Sequence, residues 1–124
     1  MPVNLTCRRL PGATLIAVAG QVDTTTSGRL EEYIDQHRER LDEHLVIDMS
    51  ELSFLDSSGL AVLLAAATLA RAHGAEVHLA GLQPMPARLL EITGAGRAVT
   101  VHDHIEQALG AIVDLDLVNP QEPA

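Results

Sequence analysis

Val46-Ile47-Asp48-Met49-Ser50-Glu51-Leu52-Ser53-Phe54-Leu55-Asp56-Ser57-Ser58-Gly59-Leu60 is the stretch on which the reading of the chain turns. Its start belongs to a short apolar run, His44 to Met49, of strand length. Ser50 to Leu55 reads as a loop tethered by buried side chains. Asp56-Ser57-Ser58-Gly59 then stands where that loop becomes a helix. From Leu60 to Ala72 the residues are apolar on almost every face, which predicts a helix largely buried against a sheet rather than an amphipathic one. Gly74 follows as its C-terminal stop.

Upstream of this stretch, Val3 to Leu10 and Ala13 to Ala19 read as two extended segments around Pro11-Gly12, a turn dipeptide suited to an antiparallel hairpin. Gly20 is expected to end the second strand. From Thr26 or Ser27 onward, Leu30, Tyr33, Ile34, His37 and Leu41 recur at helical spacing with charge between them. Downstream, Glu76 to Ala80 alternates as a strand, and Pro84 to Ile92 makes a short helix with Pro near its start and Thr93-Gly94 at its end. Val99 to His102 is the last strand, and a helix from about His104 to Val113 presents Ile105, Ala108, Leu109 and Ile112 on one side.

The order ββαβαβαβα places the chain in the α/β class, as a mixed central sheet of about five strands covered by about four helices. Whether those helices line one face or both is left open by periodicity alone. Residues 1–113 form the expected domain, and 114–124 an acidic, flexible tail.

Composition narrows the function classes. A chain of 124 residues that is 47% apolar supports one packed core. With aromatics at 2%, that core is built from Leu, Ile, Val and Ala, and stacking platforms for bases are missing. A formal charge of -9, from 17 acidic residues against 8 arginines and no lysine, repels nucleic-acid phosphates and anionic lipid headgroups. The expected partners are proteins, with no direct nucleic-acid contact and no membrane insertion. Cys7 stands alone, so no internal disulfide forms; it reads as structural, and a cytoplasmic location is expected. No signal-peptide pattern opens the chain, and no apolar stretch reaches the roughly 20 residues needed to span a bilayer.

Asp56, Ser57 and Ser58 can each cap the free N–H groups of the helix they precede, and capping alone explains such a composition. A second reading rests on the same geometry. A helix N-terminus offers free donors and partial positive charge, a setting that tolerates phosphate on a serine. A phosphoserine adds about -1.5 to -2 charges, enough to repel an acidic partner without rearranging the domain.

The run Val46 to Leu60 closely resembles the signature of STAS domains, in particular the bacterial anti-sigma-factor antagonists. Gly20-Gln21-Val22-Asp23 is similar to the Gly-Glu-Leu/Val-Asp segment that ends the second strand in that family, and the likeness covers nearly the whole chain. The resemblance implies a STAS-like single domain and a partner-switching cycle. In that cycle the unphosphorylated antagonist binds an anti-sigma factor that is also a serine kinase, and a sigma factor is released. It also implies that the kinase phosphorylates Ser57, the serine directly after the motif aspartate, and that a PP2C-type phosphatase reverses this. Asp56 would shape the loop, Ser58 and Gly59 would form the helix start, and Asp23 would contribute to the kinase-facing surface. ATP and metal belong to the partners, so no cofactor is expected in this chain. Gln21 stands where many relatives carry Glu, and Ala61 where many carry Gly; neither departure removes the acceptor.

Other signals carry less. His102-Asp103-His104 suggests a metal site, but further ligands are not identifiable, so these histidines are read as solvated and no metal is expected. His37, His44, His73 and His78 show no ligand spacing. A serine hydrolase would require Gly where Leu55 stands in the G-x-S-x-G elbow, and no histidine can be placed beside Ser57. Gly-rich phosphate loops are missing as well. The rival to the switch, from the same resemblance, is a constitutive STAS binding module, either a subunit of a lipid-transport ABC complex or a stressosome scaffold.

Overall fold

The computed structural model describes residues 2–118, and residues 114–118 by their backbone alone. Two antiparallel strands, β1 (Val3–Leu10) and β2 (Ala13–Val22), pair directly across Pro11-Gly12, with Leu10 opposite Ala13. Then follow α1 (Ser27–His37), β3 (His44–Leu55), α2 (Ser57–Ala72), β4 (Val77–Ala80), α3 (Pro84–Thr93), a 3₁₀ turn (Ala95–Arg97), β5 (Thr100–His102) and α4 (Ile105–Val118). This is the expected order.

The sheet runs β1-β2-β3-β4-β5, parallel at every junction after the first hairpin. Because each crossover from β2 to β5 steps in the same direction, right-handed connections place α1, α2 and α3 on one face. Their buried side chains, including Leu30, Ile34, Leu60, Leu63 and Leu90, meet Ile16, Val18, Leu45, Ile47, Met49, Val77 and Leu79 in the main core. Fully burying each such side chain stabilises the fold by roughly 1.5–3 kcal/mol. The alternate residues of the same strands, Ala13, Val46 and Ala80, face the other way and pack under Ala108 and Ile112 of α4. Helices therefore cover both faces, α4 alone on the second.

Several boundaries differ from the sequence reading. β2 does not end at Gly20: that residue, at φ +102, sits where a Cβ would lie 2.5 Å from the carbonyl oxygen of Pro2, and the strand continues to Val22. Nor is Ser50 to Leu55 a loop. It is strand, paired with β2 through two irregularities, so that Asp48 to Leu55 on β3 spans the same length as Ala17 to Val22 on β2. The extra residues are bulges, which bend the strand and set Met49, Leu52 and Leu55 inward at a spacing of three.

α1 stops at His37, short of Leu41, because Arg38 turns extended and its guanidinium bonds the carbonyls of Leu41 and Glu43 at 3.4 and 3.3 Å. α2 is buried along one stripe only. Gly59, Leu60, Leu63, Ala66, Ala67 and Ala70 face the core, whereas Ala61, Ala65 and Leu69 are exposed. α4 continues to Val118, beyond Val113 where the sequence reading ends it. Residues 119–124, the rest of the expected tail, lie outside the described residues.

Candidate functional site

The site grows from the C-terminal ends of two neighbouring strands. The bulged pairing sets Gln21 beside Phe54 and Val22 beside Leu55, and the Asp56 N–H donates to the Val22 carbonyl at 3.2 Å. The segments after β2 and after β3 are thereby held side by side, the first carrying Asp23 and the second Asp56-Ser57-Ser58-Gly59.

Asp56 is the N-cap of α2. Its extended backbone lets Oδ1 accept from the N–H groups of Ser58 (2.9 Å) and Gly59 (3.3 Å) and from the Ser58 hydroxyl. Gly59 is buried, and a Cβ there would lie 2.5 Å from Val22 Cγ1 and 2.6 Å from Leu55 Cδ1. Only a residue without a side chain lets the helix start this close to the strand ends. Ser57 is exposed, and its hydroxyl makes no hydrogen bond among the described residues, in contrast to the half-buried Ser58.

Asp23 closes a turn before α1. Its Oδ1 accepts from the Thr25 N–H (2.8 Å) and hydroxyl (2.6 Å), while its own N–H donates to the Thr26 hydroxyl at 3.0 Å. Thr26 is buried and its hydroxyl in turn donates to the Gln21 carbonyl. Thr25 was not singled out from sequence and Thr26 only as a possible helix start, although an Asp followed two residues later by Thr is a recognisable side-chain-to-backbone turn signal.

Hydrogen bonds hold both carboxyls below the usual carboxylate range. For Asp56 the Ser58 hydroxyl contributes most, with Asp23 pushing the other way; for Asp23 it is the Thr25 hydroxyl. A carboxylate held so low is a weak base at neutral pH. Neither is suited to activating the Ser57 hydroxyl, and no histidine hydrogen-bonds to Ser57 among the described residues. The expectation of free donors for phosphate narrows to the Ser57 N–H, which has no hydrogen-bond partner among the described residues. The N–H groups of Ser58 and Gly59 are filled by Asp56, and that of Leu60 by the Asp56 carbonyl. A phosphate on Ser57 adds negative charge beside the Asp56 carboxylate, which itself feels the charge of Asp23.

Beyond the two carboxylates the surface turns apolar. Phe54 is 37% exposed at the end of β3, and the outward side of α2 carries Ala61, Val62, Ala65 and Leu69 without a charge before Arg71. That side leads to a cleft of about 240 Å³ between α1 and α2, where Ile34, Leu41 and Leu69 are joined by the charged Glu31, Asp35 and Arg38.

The histidines are arranged differently from the sequence reading. His104 is exposed, but His102, read as solvated, is half-buried, and it stands with His44 beside the buried His78 on the α4 face. Among the described residues no three His, Cys, Asp or Glu side chains are grouped to hold a metal, and no helix is long and apolar enough to cross a membrane. Cys7 is half-buried beside the main core, where burial raises its thiol above the usual range.

Three comparisons bear on this geometry. The model of the STAS domain family matches residues 4–108. An anti-sigma F factor antagonist of Paenibacillus polymyxa is 28% identical over 109 residues, covering 87% of this chain and 91% of that protein. An anti-sigma-B factor antagonist of Listeria monocytogenes is 34% identical over 86 residues, 69% of this chain and 75% of that one. Among solved structures, an anti-sigma factor antagonist from Mycobacterium paratuberculosis superposes with a TM-score of 0.78 at 27% identity, covering 91% of this chain and 96% of that chain.

Proposed function

This chain belongs to the STAS domain family, and we propose that it is an anti-sigma-factor antagonist, a binding protein without catalysis of its own. In its unphosphorylated form it binds an anti-sigma factor that is also a serine kinase, and so frees a sigma factor; phosphate on Ser57 ends that association. The observation that carries this reading is the division of labour between adjacent serines. Ser58 is consumed by the Asp56 cap, whereas Ser57 is exposed and its hydroxyl has no hydrogen-bond partner among the described residues. The relatives named as antagonists in Paenibacillus and Listeria support the same role.

In the transfer, Ser57 Oγ attacks the terminal phosphorus of ATP bound by the kinase, the bond to ADP breaks, and the hydroxyl proton passes to a base of the kinase. Nucleotide and metal are supplied by that partner, as is the water-activating metal of the PP2C-type phosphatase that restores the hydroxyl. Asp23 and Asp56 flank the acceptor, and the charge-free outward side of α2 supplies apolar contact area. Added phosphate places about -1.5 to -2 charges beside two carboxylates, which repels an acidic contact and spoils an apolar one. A partner of this kind places the cycle in the cytoplasm.

The test is incubation with the cognate anti-sigma factor and ATP, followed by mass spectrometry. One phosphate on Ser57 is expected; phosphate on Ser58 alone, or none, rejects the assignment. Ser57→Ala should stay bound under phosphorylating conditions, while Ser57→Asp should bind about tenfold or more weakly. Equal affinity of the two variants would point to constitutive docking instead.

A further inference from the structure

Three histidines distant in sequence form a row on the sheet face covered by α4. His44 opens β3, His78 lies on β4 in register between Val46 and Thr100, and His102 ends β5 opposite Ala80. The His44 and His78 rings meet edge to face at 5.6 Å, and the His78 and His102 rings stack at 5.3 Å. His78 Nδ1 and His102 Nε2 are 3.1 Å apart, so one proton is shared between them. The middle ring is 1% exposed, and its Nε2 is buried without any hydrogen-bond partner.

A neutral pair fits this contact, with one ring donating N–H and the other accepting. A proton added to His78 makes a cation in a site cut off from water, where its Nε2 has no acceptor among the described residues. Elsewhere around the ring, His44 Nδ1 accepts from the Glu76 N–H, and the Glu76 carboxylate accepts from the Thr100 hydroxyl at 2.9 Å. α4 brings Ala108 and Ile112 to the buried seam, with Ile105 beside them, while its Glu106 is exposed. β2 contributes Ala13 and Leu15 there. The lid on this face is a single helix, held by a much smaller apolar cluster than the one under α1, α2 and α3.

We propose that α4 is an acid-sensitive latch: His78 takes up a proton only when α4 lifts from the sheet, so acidification shifts the chain toward a conformer with this face open to solvent. His78 is pushed down to about 4 from its ordinary 6.5, by burial first and then by His44, with Glu76 opposing and His102 adding to the push. The docked form therefore holds its full advantage above about pH 6.5 and loses it as pH falls through that value toward about 4. By linkage the ratio of docked to lifted α4 falls about 20-fold between pH 7 and pH 5, and approaches about 300-fold well below pH 4. Ser57 stands at the other end of β3 and is reached from the opposite face, so the latch does not rest on the antagonist reading.

Amide hydrogen exchange on the full chain at pH 7 and pH 5, corrected for intrinsic rates, tests this. Protection of the Leu109 to Ile112 amides should fall about 20-fold, while the Ile16 and Ile47 amides keep theirs. In His78→Leu the α4 amides should lose that pH dependence. Unchanged α4 protection in the natural chain, a fall in step with Ile16 and Ile47, or a fall undiminished in His78→Leu would each overturn the latch. Should His78→Leu not fold, an NMR titration of the imidazoles decides. Protonation of His78 must move together with the α4 resonances, and protonation with α4 unmoved refutes the proposal.

Discussion

At the scale of single residues, four adjacent positions take distinct roles, although composition alone lets Asp56, Ser57 or Ser58 serve as the cap. Asp56 and Ser58 build the cap, Gly59 makes room, and Ser57 is left facing outward. Asp56→Ala removes the acceptor for two first-turn N–H groups and should cost about 0.5–2 kcal/mol of stability. Asp56→Asn keeps an acceptor and should cost less. The pH dependence has a definite sign: because the folded-state carboxyl lies below its ordinary value, its contribution is complete above about pH 4 and is lost as pH falls through the lower folded-state value. Urea unfolding of the three proteins at pH 7 and pH 3 measures this. The gap between the natural chain and Asp56→Asn should narrow at the lower pH, and a constant gap would contradict the cap geometry. That Ser57 and not Ser58 is free was not legible from composition, since both hydroxyls suit a first turn and only the tie of Asp56 to Val22 orients the cap.

At the scale of elements, the hairpin, the span of α2, the Pro84 start of α3 and the apolar side of α4 were readable from periodicity and turn residues. The single buried stripe of α2 was hidden, because Ala61, Ala65 and Leu69 are as apolar as its core-facing side. The ends of β2 and β3 were not readable either. Bulges break the two-residue alternation by which strands are recognised, so Met49, Leu52 and Leu55 look like scattered anchors of a loop. Phe54, taken with them as loop, proves to be an exposed residue at the site's edge. The same bulged ends make α2 intolerant at its first turn. Gly59→Ala would gain helix propensity of about 1 kcal/mol, yet its methyl meets Val22 and Leu55, both fully buried and unable to retreat into solvent. Overpacking of this kind costs about 1–3 kcal/mol, so net destabilisation is expected, together with slower phosphorylation as the helix start shifts. Adding Val22→Ala should recover part of the phosphorylation rate if the clash is the cause; no recovery would place the fault elsewhere.

At the scale of the whole molecule, the sheet separates two cores with different tasks. The stepwise strand order forces α1, α2 and α3 onto one face, a consequence of handedness that follows only once the order of the strands in the sheet is known. The placement of α4 does not follow even then, because an amphipathic helix after the last strand can pack on either face, and only Ala13, Val46 and Ala80 show which one was left uncovered. Ile16 lies in the main core and Ile112 in the α4 seam, with the backbone of the sheet between them. Each Ile→Val change deletes one buried methylene and should cost about 0.5–1.5 kcal/mol. If the faces are energetically separate, the double variant should lose the sum of the two within about 0.5 kcal/mol. Coupling beyond that, measured by urea unfolding at pH 7, would mean that strain at the α4 seam reaches the core beneath α2. Additivity is the expected result, because the two side chains share no partner and α4 touches none of the helices that carry the Ser57 surface within either core cluster.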